Sequence, residues 1–95
     1  MEASDYAALF EVPETHTLRL SRSARTRRGE HSYETRWMEE RDARSRLVAR
    51  YRTWLNRSSQ APYRTQFGWE RYAPDGTLLD REVRYSTRAS VAALH

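Results

Sequence analysis

The chain contains no cysteine, no lysine and no isoleucine, and only three glycines and three prolines. Without cysteine, neither a disulfide framework nor a thiolate zinc site can hold a fold of 95 residues together. A chain of this size closes one core by packing alone, or shares it with a partner. No apolar run approaches the roughly 20 residues that span a bilayer. The start, Met1-Glu2-Ala3-Ser4-Asp5, is acidic and lacks the basic and apolar regions of a signal peptide. The expectation is a single soluble domain, cytoplasmic and without a membrane partner.

The missing lysine changes how the charge is read. All seventeen basic residues are arginine, against thirteen acidic ones, for a net charge of +4 and a pI near 10.0. An arginine-rich chain free of lysine and isoleucine is what GC-rich coding produces. Arginine's own high pKa lifts the pI further. A nucleic-acid surface gathers its positive charge on one face. Here most arginines stand within a few residues of an acid, so composition is a weak argument for nucleic acid.

Catalytic motifs are missing too. His16, His31 and His95 have no H-E-x-x-H or C-x-x-C context, and Gly29, Gly68 and Gly76 stand alone rather than forming a phosphate loop. There is no Gly-x-Ser-x-Gly elbow. The carboxylate pairs Glu39, Glu40 and Glu70, Asp80 are flanked by arginines, which favour the ionised form. They read as surface ion pairs. The expectation is a protein that is not an enzyme and uses no metal or cofactor.

What the chain does have is alternation. Around Pro74-Asp75-Gly76 it reads as a β-hairpin, with Pro74 presetting φ for a type I turn and Gly76 supplying the positive φ that rejoins the strands. Phe67, Trp69, Leu79, Val83 and Tyr85 are assigned to one face, and Gln66, Glu70, Asp80, Glu82 and Arg84 to the other. Upstream, strands are expected over 17–26, 32–40 and 47–55, with reversals at Arg27-Arg28-Gly29-Glu30 and Asp42-Ala43-Arg44-Ser45-Arg46. Pairing Glu40 with Arg50 and Met38 with Arg52 sets Tyr33, Thr35 and Trp37 on the same face as Leu47, Ala49, Tyr51 and Leu55. A degenerate repeat lies at an offset of 31: Glu39-Glu40-Arg41 matches Glu70-Arg71-Tyr72, and Leu47-Val48 matches Leu78-Leu79. Convergence on similar turn chemistry explains it as well as repetition does. The Tyr-x-x-Asp-Gly-x-Leu pattern of 72–78 resembles the hairpins of MORN-type repeats, on turn residues that identify no family.

Helix is scarce. Ser4 or Asp5 caps a short turn in which Tyr6, Leu9 and Phe10 share a face, ended by Val12-Pro13. The fold expected is mainly β: a curved antiparallel meander of about five strands, as a sheet or partial barrel, with a short terminal helix or turn. One domain covers 1–95, divided into an N-terminal segment (1–15), the sheet (16–86) and a C-terminal tail (87–95).

Three functional readings follow. The first is non-catalytic protein binding through a sheet face or edge, including self-association as a homodimer. Alternation leaves Met38 and Trp54 among outer charges, so Met38, Arg50, Arg52 and Trp54 are the interface candidates. The alternative is a single-stranded nucleic-acid module. It uses the acid-free run Arg19, Arg22, Arg25, Arg27 and Arg28, with Tyr33, Trp54, Tyr63 or Tyr72 as stacking platforms. Against it, alternation points Arg19, Arg25 and Arg27 one way and Arg22 and Arg28 the other, as on a protected edge strand. The third is a half-barrel holding an apolar ligand between Trp37, Tyr51, Phe67 and Trp69. A filled aromatic interior is the better account of those four.

Overall fold

The structure is a computed structural model that describes residues 3–60 and 63–87. A short helix, α1 (Ala3–Leu9), precedes five strands: β1 (Thr17–Arg28), β2 (His31–Arg41), β3 (Leu47–Ser58), β4 (Arg64–Tyr72) and β5 (Leu78–Thr87). They form one antiparallel sheet in the order β1-β2-β3-β4-β5, an open meander rather than a barrel. All but the first of the expected C-terminal tail residues, 87–95, lie outside the described residues.

The turns follow their sequence. α1 ends in paired hydrogen bonds from Val12 N to Ala7 O (2.9 Å) and Glu11 N to Ala8 O (3.2 Å), with Glu11 in the left-handed region at φ 55°. That is a Schellman closure, and Pro13 then prevents continuation. The last hairpin turns where Pro74-Asp75-Gly76 predicts. Gly76 N donates to Ala73 O (2.9 Å), Thr77 N donates to Asp75 Oδ1 (2.9 Å), and Gly76 takes φ 93°.

The offset of 31 residues is a real correspondence of backbones. Asp42 N bonds Arg46 O as Ala73 N bonds Thr77 O, and Ser45 N bonds Asp42 O as Gly76 N bonds Ala73 O. Ser45, at φ 64°, sits where Gly76 sits. Each hairpin also has its irregularity in the same place. Arg41 pairs with Leu47 and Glu40 with Ala49, so Val48 is skipped; Tyr72 pairs with Leu78 and Arg71 with Asp80, so Leu79 is skipped. A third shift, between Leu20 and Arg22, makes Ser21 the extra residue of β1.

These extra residues correct the facing drawn from alternation, because a one-residue slip moves every side chain to the opposite face. Arg50 pairs with Glu39, not Glu40, and Arg52 with Trp37, not Met38. Met38 instead pairs with Tyr51. Tyr33, Thr35 and Trp37 therefore lie opposite to Ala49, Tyr51 and Leu55. In the last hairpin Trp69 pairs with Glu82 and Gly68 with Val83, so Val83 and Tyr85 lie opposite to Phe67 and Trp69.

The main cluster of buried residues lies on the helix face. Tyr6, Met38, Ala49 and Tyr51 are buried together, with Leu9, Phe10, Leu18, Val48 and Phe67 packed around them. Phe10 stacks on Tyr51 (centroids 4.1 Å apart) and meets Trp69 edge-on at 5.1 Å. The helix plugs this face of the sheet. Phe10 occupies the space over Tyr51 and Trp69 that the half-barrel reading gave to a ligand, and Trp37 is on the other side.

Candidate binding face and a buried polar network

No described segment lies over the second face. The register writes it as rows of neighbours across the strands. One row runs Arg22, Trp37, Arg52, Glu70, Arg81; the next runs Ala24, Thr35, Trp54, Gly68, Val83; a third runs Thr26, Tyr33, Asn56, Gln66, Tyr85. The Arg22 guanidinium lies 4.8 Å from the centroid of the Trp37 ring, and that of Arg52 lies 5.0 Å from Trp54. Arg52 also donates to Glu70 Oε1 at 2.9 Å, and Arg81 approaches Oε2 at 3.9 Å. Burial pushes the Glu70 carboxyl upward, but hydrogen bonds from Tyr72 and Arg52, with the arginine charges, outweigh it and hold the pKa low. Asn56 donates to Gln66, which donates to the Tyr85 hydroxyl (2.8 and 3.1 Å).

The interface candidates do not stay together. Arg50 and Arg52 are exposed on this face, and Arg50 lies 3.7 Å from Glu39. Met38 is 2% exposed beneath α1 on the opposite face. Trp54 faces outward as alternation requires, yet only 9% of it is accessible. Its indole fills the hollow above Gly68, where an added Cβ would collide with Cζ2 and Cε2, and Arg52 covers it. Trp37 is half-buried on this face. It borders a shallow concavity of about 200 Å³ beside the β1 bulge, lined also by Ser21, Arg22, Glu39 and Arg50, with Met38 and Tyr51 contributing to its floor.

The bulge also re-sorts the arginine run. Arg19 pairs with Glu39, Arg22 with Trp37 and Arg28 with His31, all on the uncovered face, while Arg25 and Arg27 fall on the helix side. Arg19, Arg22 and Arg28 thereby join Arg50, Arg52 and Arg81, where the carboxylates are Glu39 and Glu70. Of the expected stacking platforms, Tyr33 is exposed and Tyr72 half-buried on this face, Trp54 is covered, and Tyr63 precedes β4 in an exposed position.

On the helix side a polar network was not visible in local spacing. Glu40 is 2% exposed and is no surface ion pair. The Tyr51 hydroxyl donates to its Oε1 at 2.6 Å, and His16 Nδ1 lies 2.6 Å from its Oε2, from 24 residues away in the chain. Arg71 Nε donates to the Tyr51 hydroxyl at 3.1 Å. Burial, then the bond to Glu40, pushes the Tyr51 phenol far above the ordinary tyrosine range. Both carboxylate oxygens are occupied, so the group acts as a clamp between the loop after α1, β2 and β3. Among the described residues, no three His, Asp or Glu side chains come together as a metal site, and no helix is long and apolar enough to cross a membrane.

Comparison of the chain with models of protein families, with curated protein sequences and with solved structures finds no match to any of them.

Proposed function

We propose that this chain is a non-catalytic, cytoplasmic binding module that docks a protein partner on the uncovered face of its sheet. The observation that carries this reading is the concavity at the β1 bulge. It offers the half-buried ring of Trp37 between Arg22 and Arg50, with Glu39 already engaged by arginine. Tryptophan and arginine are the residues on which interface energy concentrates. An apolar side chain carried by an acidic segment complements that surface in shape and charge.

The test is capture by the immobilised protein. Trp37→Ala and Arg22→Glu abolish retention of a defined partner, while Arg57→Glu, exposed on the helix side, retains it. Equal retention by all three variants overturns the reading.

A second reading has one observation in its favour. The bulge brings Arg19, Arg22 and Arg28 onto the same face as Arg50, Arg52 and Arg81, as a single-stranded nucleic-acid surface needs. It requires binding of a fluorescent oligonucleotide that weakens steeply with salt, with a shallower slope in Arg22→Glu.

A further inference from the structure

The two edges of the sheet are not alike. β1 carries Arg19, Arg22, Arg25, Arg27 and Arg28 with no acid, and a bulge; both features discourage pairing with another strand. β5 has neither defence along its middle: Asp80, Arg81, Glu82, Val83, Arg84 and Tyr85 carry charges of both signs. Tyr85 is 76% exposed, and Glu82 and Arg84 already form a 2.7 Å ion pair along the strand.

We infer that β5 pairs antiparallel with β5 of a second copy of this chain, in one register centred on Val83. A two-fold axis normal to the sheet keeps each face on its own side, so only registers that set a residue opposite itself are available. Centring on Asp80, Arg81, Glu82 or Arg84 sets like charge against like. Centring on Leu79 or Tyr85 leaves much of the strand without a partner residue. With Val83 opposite Val83, the overlap runs from Leu79 to Thr87. Glu82 then meets Arg84 twice on the helix side, and each intrastrand pair closes into a ring of four alternating charges. On the uncovered face each Arg81 meets the exposed ring of Tyr85. The result is a ten-stranded sheet whose two uncovered faces point the same way. This goes beyond the docking proposed above and does not depend on it.

Sedimentation velocity on the full chain decides it. The wild type is expected to be a dimer, and Arg84→Glu, which sets acid against acid twice, to dissociate about tenfold more readily or worse. The charge swap Glu82→Arg with Arg84→Glu restores the dimer. Trp37→Ala leaves it unchanged, which separates this result from any loss of partner capture. The absence of native cysteine allows a second measurement. A short thiol crosslinker joins two copies of Val83→Cys, whose Cβ atoms face each other at about 5 Å, but not two copies of Asp80→Cys, about 20 Å apart. A monomeric wild type, a dimer indifferent to Arg84→Glu, a swap that fails to restore it, open-ended polymers, or equal crosslinking at both positions overturns the inference.

Discussion

Trp54 rests on Gly68: the two are directly paired across β3 and β4, and the indole occupies the space a side chain at position 68 would need. An outward-facing tryptophan becomes nearly inaccessible because its neighbour has no side chain. Glycine within a strand weakens it, and an aromatic laid over the gap offsets the weakness.

That pairing predicts a non-additive cycle. Trp54→Ala removes a buried indole and is expected to lower stability by about 3 kcal/mol. Gly68→Ala forces the ring aside and is expected to lower it by about 1–3 kcal/mol. In the Trp54→Ala background, Gly68→Ala becomes nearly harmless, since the collision has gone. Urea denaturation of the four proteins measures this, and additive losses would show that ring and glycine are not coupled.

The Tyr51 clamp predicts an alkaline limb of stability. Tyr51 and Tyr72 both have raised pKa values in the fold, Tyr51 by burial and the Glu40 bond, Tyr72 by its bond to Glu70. A raised acid pKa favours the protonated form, so its contribution is complete below the unfolded value of about 10 and is lost as pH rises above it. Thermal unfolding midpoints are expected to fall above about pH 10, and less steeply in Tyr51→Phe. No lysine titrates in that window. Tyr51→Phe also leaves Glu40 short of one donor, at a cost of about 1.5–3 kcal/mol near neutral pH.

The matched hairpins predict opposite responses at matched positions. Gly76→Val places a β-branched side chain at φ 93° with no steric neighbour, so the cost of about 1–3 kcal/mol is purely conformational. Ser45→Gly, at φ 64°, relieves the same strain in the first copy and is expected to leave stability unchanged or raised. Melting midpoints that move in the same direction for both variants would contradict the correspondence.

Strand order, turn positions and the helix with Tyr6 and Phe10 on its inner side were legible because they depend on local residues. Pro74-Asp75-Gly76 dictates its own turn, and a period of two survives within each strand. Facing was not legible, because Ser21, Val48 and Leu79 each interrupt that period, and nothing in their side chains marks them as extra. Alternation therefore sets Met38 with Trp54, whereas it lies with Tyr51. The hollow above Gly68 is a property of a neighbouring strand, which alternation along β3 cannot register. The bond between His16 and Glu40 likewise depends on the path of the loop after α1, not on spacing.

The unbroken order of the meander bears on how the chain reaches this state. Every strand pairs only with the strands adjacent to it in sequence, so each loop closed during folding is short and its entropic cost small. Hairpins can zip one onto the next in either direction. The long-range contact is the docking of Tyr6 and Phe10 on Met38, Tyr51 and Trp69, a surface that β2, β3 and β4 build together. The expected order is that the sheet forms as a ladder and the helix docks last, which folding kinetics of Phe10→Ala would check by showing faster unfolding with an unchanged folding rate.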